Sequence, residues 1–171
     1  TDKGRVLMDV GGSYEIFVYN ARVLGLDLQT LDAIFISHWH RDHCGALEGV
    51  LHHIGHSLPV HVPSEGVVPG EARLVVADCP MTIVPGVFST GRMGGFIAEH
   101  SLVVNVAGKG LVLFTGCAHP GLVRIVERAR ELLPDFRVYG VVGGFHLGTA
   151  GAGREVAHYL RSLGVELVCP C

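Results

Sequence analysis

The sequence predicts an α/β domain built around buried, layered sheet, and three observations carry that prediction. Charged residues make up only 17% of the 171 positions and hydrophobic ones 49%, which favours sheet packed between layers over a solvated helical bundle. Apolar runs of strand length alternate with segments whose apolar residues recur at helical spacing. Three separate strands empty into loops that carry a histidine, and α/β proteins collect their sites on such loops.

Composition bounds the rest. A chain of 171 residues can bury one substantial core, so 1–171 is expected to be a single domain. The formal charge of -3 predicts neither a nucleic-acid surface nor attraction to an anionic membrane. The 24 glycines are about twice the usual share of roughly 7%, as expected where strands turn into functional loops. Mean hydropathy is +0.41, yet the longest apolar runs, such as Leu111 to Thr115, are strand-sized, so no membrane span or signal peptide is expected. Five cysteines, an odd number scattered among histidines, make no disulfide framework. They point to a reducing, cytoplasmic setting with a few functional thiols. Both ends are expected to be cut. Thr1-Asp2-Lys3-Gly4-Arg5 reads as a polar hairpin-type turn that a strand should precede, and Cys171 directly follows an apolar strand.

In chain order, Arg5 to Asp9 is a short strand and Gly11-Gly12-Ser13 a turn that reverses the chain. Tyr14 to Leu24 is loosely helical and is stopped by Gly25. Leu31 to Ser37 is a buried strand that empties into His38-Trp39-His40-Arg41-Asp42-His43-Cys44, and Ala46 to Ile54 follows as a helix. Val60-His61-Val62 is a short strand. Ser64 to Gly95, broken by Pro69, Pro80 and Pro85, is expected to be an antiparallel meander at a sheet edge, or a lid. Leu102 to Val106 and Leu111 to Thr115 form a hairpin that ends in Gly116-Cys117-Ala118-His119-Pro120. A helix runs from Leu122 to Leu133. The strand Arg137 to Val142 leads into Gly143-Gly144-Phe145-His146, a helix is expected from about Gly153 to Leu163, and Val165 to Val168 is the last strand.

The three loops offer His38, His40, Asp42 and His43 from the first, Cys117 and His119 from the second, and His146 from the third. Imidazole and carboxylate are ligands of zinc and its first-row neighbours, and this set is large enough for two metals. His52, His53, His56 and His158 lie on or beside predicted helices, and His61 on a strand, where a histidine ordinarily has no ligand role. Trp39 is expected to pack.

The run His38-x-His40-x-Asp42-His43 resembles the signature of the metallo-β-lactamase superfamily, and the resemblance extends over essentially the whole chain. Asp9-Val10-Gly11-Gly12 is similar to that superfamily's early Asp-x-Gly turn, and Leu113-Phe114-Thr115-Gly116 to the strand that delivers a bridging Asp, a position held here by Cys117. Thr115 to His119, Gly143 to Leu147 and Cys169-Pro170-Cys171 more specifically resemble the branch that includes the 7,8-dihydropterin-6-yl-methyl-4-(β-D-ribofuranosyl)aminobenzene 5′-phosphate synthases, which continue past the last cysteine pair with a further His-Cys.

The resemblance implies a four-layer αββα sandwich, here expected to lack its N-terminal strand and C-terminal end. It implies His38, His40 and His119 on one metal and Asp42, His43 and His146 on the other. His119 is preferred to His100 because it sits on a strand-to-helix loop. Cys117 is either a further ligand or a packed structural thiol. The implied protein is a metallo-hydrolase with two Zn²⁺ per chain, Fe or Mn remaining open. Its nucleophile would be metal-activated hydroxide oriented by Asp42, and its target a phosphoester or related ester of a small, pterin-linked molecule. Arg41, Arg92 and Arg154 are the few cations available to grip a phosphate. The alternatives are a di-iron redox protein of the same fold, against which His40 argues because such relatives commonly carry Glu there, and a non-catalytic metal-binding module.

Overall fold

In the computed structural model, which describes residues 4–66, 68 and 72–171, two sheets lie face to face with helices on both outer faces. The first sheet is wholly parallel, in the order β1 (Val6–Met8), β2 (Ala33–Phe35), β3 (Pro59–Val62), β4 (Arg73–Val76). The second is mixed. Its order is β10 (Leu167–Pro170), β9 (Val138–Gly143), β8 (Gly110–Thr115), β7 (Leu102–Val106), β6 (Val87–Ser89), β5 (Met81–Val84). The first three of these are parallel, and the pairings from β8 to β5 are antiparallel.

Side-chain alternation explains the four layers. In and just after β2, Ile34 and Ile36 point toward α1 (Tyr14–Val23) and α3 (Leu47–Ile54), where they join Ala21, Leu47, Val50 and Ile54. Phe35 points the other way, to Val87 and Leu102 of the facing sheet. Likewise Leu111 and Leu113 of β8 pack under α4 (Leu122–Leu132) and α5 (Ala150–Ser162), while Phe114 faces between the sheets. A strand buried on both faces reads as an unbroken apolar run, because both of its side-chain sets leave water. Each such fully buried side chain contributes about 1.5–3 kcal/mol.

Three segments differ from expectation. The stretch from Ser64 to Gly95 is not one meander: β4 joins the first sheet parallel to β3, and only β5 and β6 form an antiparallel edge hairpin in the second. The short Arg73–Val76 segment has no pattern of its own to say which strand it will pair with. The last helix starts at Ala150, capped by the Thr149 hydroxyl accepting from Ala152 N–H, so Gly151 and Gly153 lie inside it. The last strand begins at Leu167 because Gly164, at φ 70°, and Val165 still close the end of α5. Residues 1–3 of the expected N-terminal turn, and Pro69, lie outside the described residues.

The parallel strands of both sheets run the same way off one edge of the sandwich. Asp9 follows β1, Ser37 to His40 follow β2, Gly116 to His119 follow β8 and Phe145 to His146 follow β9. Among the described residues no helix is long and apolar enough to cross a membrane.

Candidate metal centre

The strand-end loops bring five imidazoles into one cluster. Ring centroids of His38 lie 4.6 Å from His40, 4.2 Å from His43 and 4.9 Å from His119; His40 and His119 are 4.9 Å apart, and His119 and His146 4.7 Å. Cys117 Sγ reaches His43 Nε2 at 3.3 Å, and Asp42 Oδ2 lies 3.5 Å from that same nitrogen. Each of the seven expected residues thus lies beside at least one other of the set, and among the described residues His38, Cys117 and His119 bring their ligand atoms closest together. His38 is fully buried, His43, Cys117 and His119 are half-buried, and His40, Asp42 and His146 line the open side.

Local structure sets these directions. After β2 the short helix α2 (Arg41–Cys44) turns Asp42 and His43 back over His38. Among the described residues, the non-glycine positions with positive φ are Asp9 at 54°, Ala118 at 60° and His146 at 44°. All three belong to this site, where such backbone is held only by strong surrounding bonds. Close approach also requires Gly116, since a Cβ there would come 2.3 Å from Ser37 Oγ and 3.0 Å from His38 Nδ1.

Two carboxylates hold the framework. Asp9 accepts from Ser37 N–H at 2.7 Å, from Ser37 Oγ at 2.8 Å and from His43 Nδ1 at 2.7 Å. With its proton given to Asp9, Ser37 Oγ accepts from His38 Nδ1 at 3.0 Å. These bonds assign the Nδ1–H tautomer to both His38 and His43, which leaves each Nε2 lone pair facing the cluster. Glu99, fully buried, accepts from the backbone N–H groups of Ala118 at 2.9 Å and His119 at 2.8 Å. It thereby fixes the left-handed turn that aims His119. Neither Glu99 nor Ser37 belongs to the ligand pattern of the sequence; the one signal for Glu99 is an acidic residue set between the apolar Ile97-Ala98 and the apolar strand starting at Leu102.

The electrostatics suit a cation. Burial first, then the neighbouring imidazoles, push His38 down to about 3. Burial and His146 also lower His119. His43 moves up instead, chiefly through its bond to Asp9. Burial and the surrounding carboxylates raise the Cys117 thiol, an effect that a cation in the cluster would oppose. Burial raises Glu99 above the usual carboxylate range, with its two backbone donors pulling the other way.

His119 Nε2 is buried and has no hydrogen-bond partner among the described residues. One ligand atom each from His38, Cys117 and His119 lies within 4.8 Å of the others, a group that could hold a metal ion. Buried polar nitrogens ordinarily find partners, so an imidazole nitrogen left without one, on a ring grouped with a thiol and a second imidazole, fits a metal ligand. His100 is differently placed. Its Nε2–H donates to Ile36 C=O at 2.9 Å, its Nδ1 accepts from Ser89 Oγ at 2.9 Å, and its ring stacks 3.8 Å from Phe35, so both nitrogens are engaged in joining the two sheets. Trp39 packs away from the cluster and donates to Ser64 C=O at 3.1 Å. Arg41, Arg92 and Arg154 are exposed, as are His52, His53, His56 and His158, while His61 is buried in β3.

Comparison with known proteins agrees with this architecture. The sequence profile of the metallo-β-lactamase superfamily matches residues 1–171. A 7,8-dihydropterin-6-methyl-4-(β-D-ribofuranosyl)-aminobenzene-5′-phosphate synthase of Methanocaldococcus jannaschii is 27% identical over 218 aligned positions, covering 98% of this chain and 74% of the relative. Among solved structures, a quorum-quenching N-acyl homoserine lactone lactonase superposes with a TM-score of 0.58 at 16% identity, covering 99% of this chain and 75% of its own. A metallo-β-lactamase from Novosphingobium pentaromativorans gives 0.57 at 16% identity, covering 95% and 80%.

Proposed function

The chain belongs to the metallo-β-lactamase superfamily, whose fold is that of metal-dependent hydrolases, and on that premise we propose that it hydrolyses a phosphoester or related ester of a small molecule. The observation that carries this reading is the orphaned His119 Nε2, set with His38 and Cys117 inside a ring of further imidazoles. His38, His40 and His119 would hold one metal and Asp42, His43 and His146 a second, with Cys117 available as a further ligand. Zinc there would polarise a substrate oxygen and bring the pKa of a water toward neutrality.

The chain's own groups do the rest. Asp42, exposed and beside His43 Nε2, is the carboxylate positioned to orient the attacking water and accept its proton. Asp9 keeps His38 and His43 in the ligating tautomer, and Glu99 holds the His119 loop against recoil. The relative from Methanocaldococcus jannaschii acts, by its name, in making a phosphorylated pterin-linked molecule, which favours a substrate of that class here. The five free thiols fit a reducing, cytoplasmic setting.

The test strips the protein with chelator, reloads it with zinc, and assays aryl phosphomonoesters and phosphodiesters, a cyclic phosphate, an aryl ester and a lactone. Zinc-dependent turnover of a phosphoester, lost in His119→Ala, is expected. Metal uptake without turnover of any class would overturn the hydrolase reading, and a redox-dependent visible spectrum in the protein as isolated would favour a di-iron centre.

A further inference from the structure

Helix α1 buries Tyr14, Phe17 and Ala21 against the first sheet, yet its opposite face is also apolar. Ile16 is 64% exposed, Tyr19 64% and Val23 66%, and the patch continues past the helix end into Leu24 at 70% and Leu26 at 59%. The other long helices do not share this. The outer face of α3 carries Glu48, His52 and His53, that of α4 Arg124, Arg130 and Glu131, and that of α5 Arg154, Glu155 and Arg161. An apolar stripe left open on a helix whose other face is already packed marks an interaction surface. The five side chains expose on the order of 600 Å², at the upper limit for a monomer's largest patch and near the ~800 Å² that each partner gives to a standard interface.

The arrangement also identifies the partner. Ile16, Tyr19 and Val23 follow the i, i+3, i+7 spacing of a helix-pairing seam, and Leu24 and Leu26 extend the patch beyond the helix end. Glu15 and Arg22 flank that seam on one side, both exposed, in the first and last turns of the helix. Antiparallel pairing about a two-fold axis near Tyr19 sets Ile16 of one copy toward Val23 of the other, and Glu15 of each copy beside Arg22 of the other. The patch is complementary to itself in charge, as an isologous interface requires. We propose that α1 is a homodimerisation surface through which a second copy of this chain covers Ile16, Tyr19 and Val23.

The proposal is independent of the metal reading and is tested without it. Sedimentation equilibrium of the full chain, from micromolar to sub-millimolar concentration, should show a monomer–dimer equilibrium. Glu15→Arg and Arg22→Glu should each weaken dimerisation by roughly tenfold, since each reversal sets like charges together at two symmetric places. The double variant, Glu15→Arg with Arg22→Glu, should restore it. Circular dichroism checks that each variant keeps its fold. A chain that stays monomeric throughout, or a dimer whose affinity ignores the single reversals or is not recovered by the double one, would overturn the proposal.

Discussion

Replacing Asp9 by Asn isolates one function of the site framework. Asn tolerates the φ of 54° found at this position, so the backbone is left unstrained. Asp9 accepts three bonds, and an Asn carbonyl can keep the one from Ser37 N–H at 2.7 Å. Its NH₂ then occupies the place of Oδ2, where Ser37 Oγ and His43 Nδ1 now donate at 2.8 and 2.7 Å. The serine hydroxyl can rotate, but the imidazole can meet a donor only by moving its proton to Nε2. Charge-assisted bonds contribute about 1.5–3 kcal/mol each, and with one acceptor kept the stability cost should be about 2 kcal/mol. Metal affinity should fall further, roughly 10- to 100-fold, because His43 then presents N–H where a lone pair is needed. Competition against a zinc chelator reads the affinity, urea unfolding reads the stability, and imidazole ¹⁵N shifts of the metal-free protein read the tautomer. Unchanged zinc affinity in Asp9→Asn, with His43 still protonated on Nδ1, would show that Asp9 does not set the His43 tautomer.

Three further outcomes follow from the same geometry. Glu99→Gln leaves one of the Ala118 and His119 N–H groups facing a donor inside the protein, so unfolding free energy should drop by about 1–3 kcal/mol and zinc affinity with it; urea titration and chelator competition check both. His100 is held down to about 3 by burial, from an ordinary value of 6.5, so between those values the unfolded chain binds a proton that the folded chain refuses. Stability should therefore fall as pH drops from about 6.5 toward 3, and His100→Asn should flatten that slope in unfolding curves recorded across the window. Gly116→Ala would press a methyl group onto Ser37 and His38, costing about 1–3 kcal/mol and weakening zinc binding, whereas Gly108→Ala, with no atom near its added Cβ, should leave zinc affinity unchanged.

Particular residues show what the sequence could reveal. Ile34-Phe35-Ile36 announced a strand buried on both faces, and the structure divides it between the helix layer and the facing sheet. The histidine loops were legible because ligand-type side chains clustered directly after apolar strands. Of the two organising carboxylates, Asp9 is marked in the sequence by its Asp-x-Gly turn, whereas Glu99 carries no such mark. Asp9 and Glu99 act through bonds to partners 28 and 20 residues away, and no local pattern encodes such a pairing. The fate of His100 likewise depended on Ile36 and Ser89 reaching both of its nitrogens, a tertiary fact. The β4 segment and the glycine-bearing start of α5 escaped for a different reason: strand pairing overrode weak patterning in one, and a Thr149 cap outweighed glycine's helix penalty in the other.

The metal reading turns on the unpartnered His119 Nε2. Anomalous diffraction at the zinc edge from crystals of the zinc-loaded chain tests this most directly. A peak within bonding distance of His119 Nε2 and His38 Nε2 is expected. Full zinc loading with no peak there, and His119 Nε2 still unligated, would contradict it.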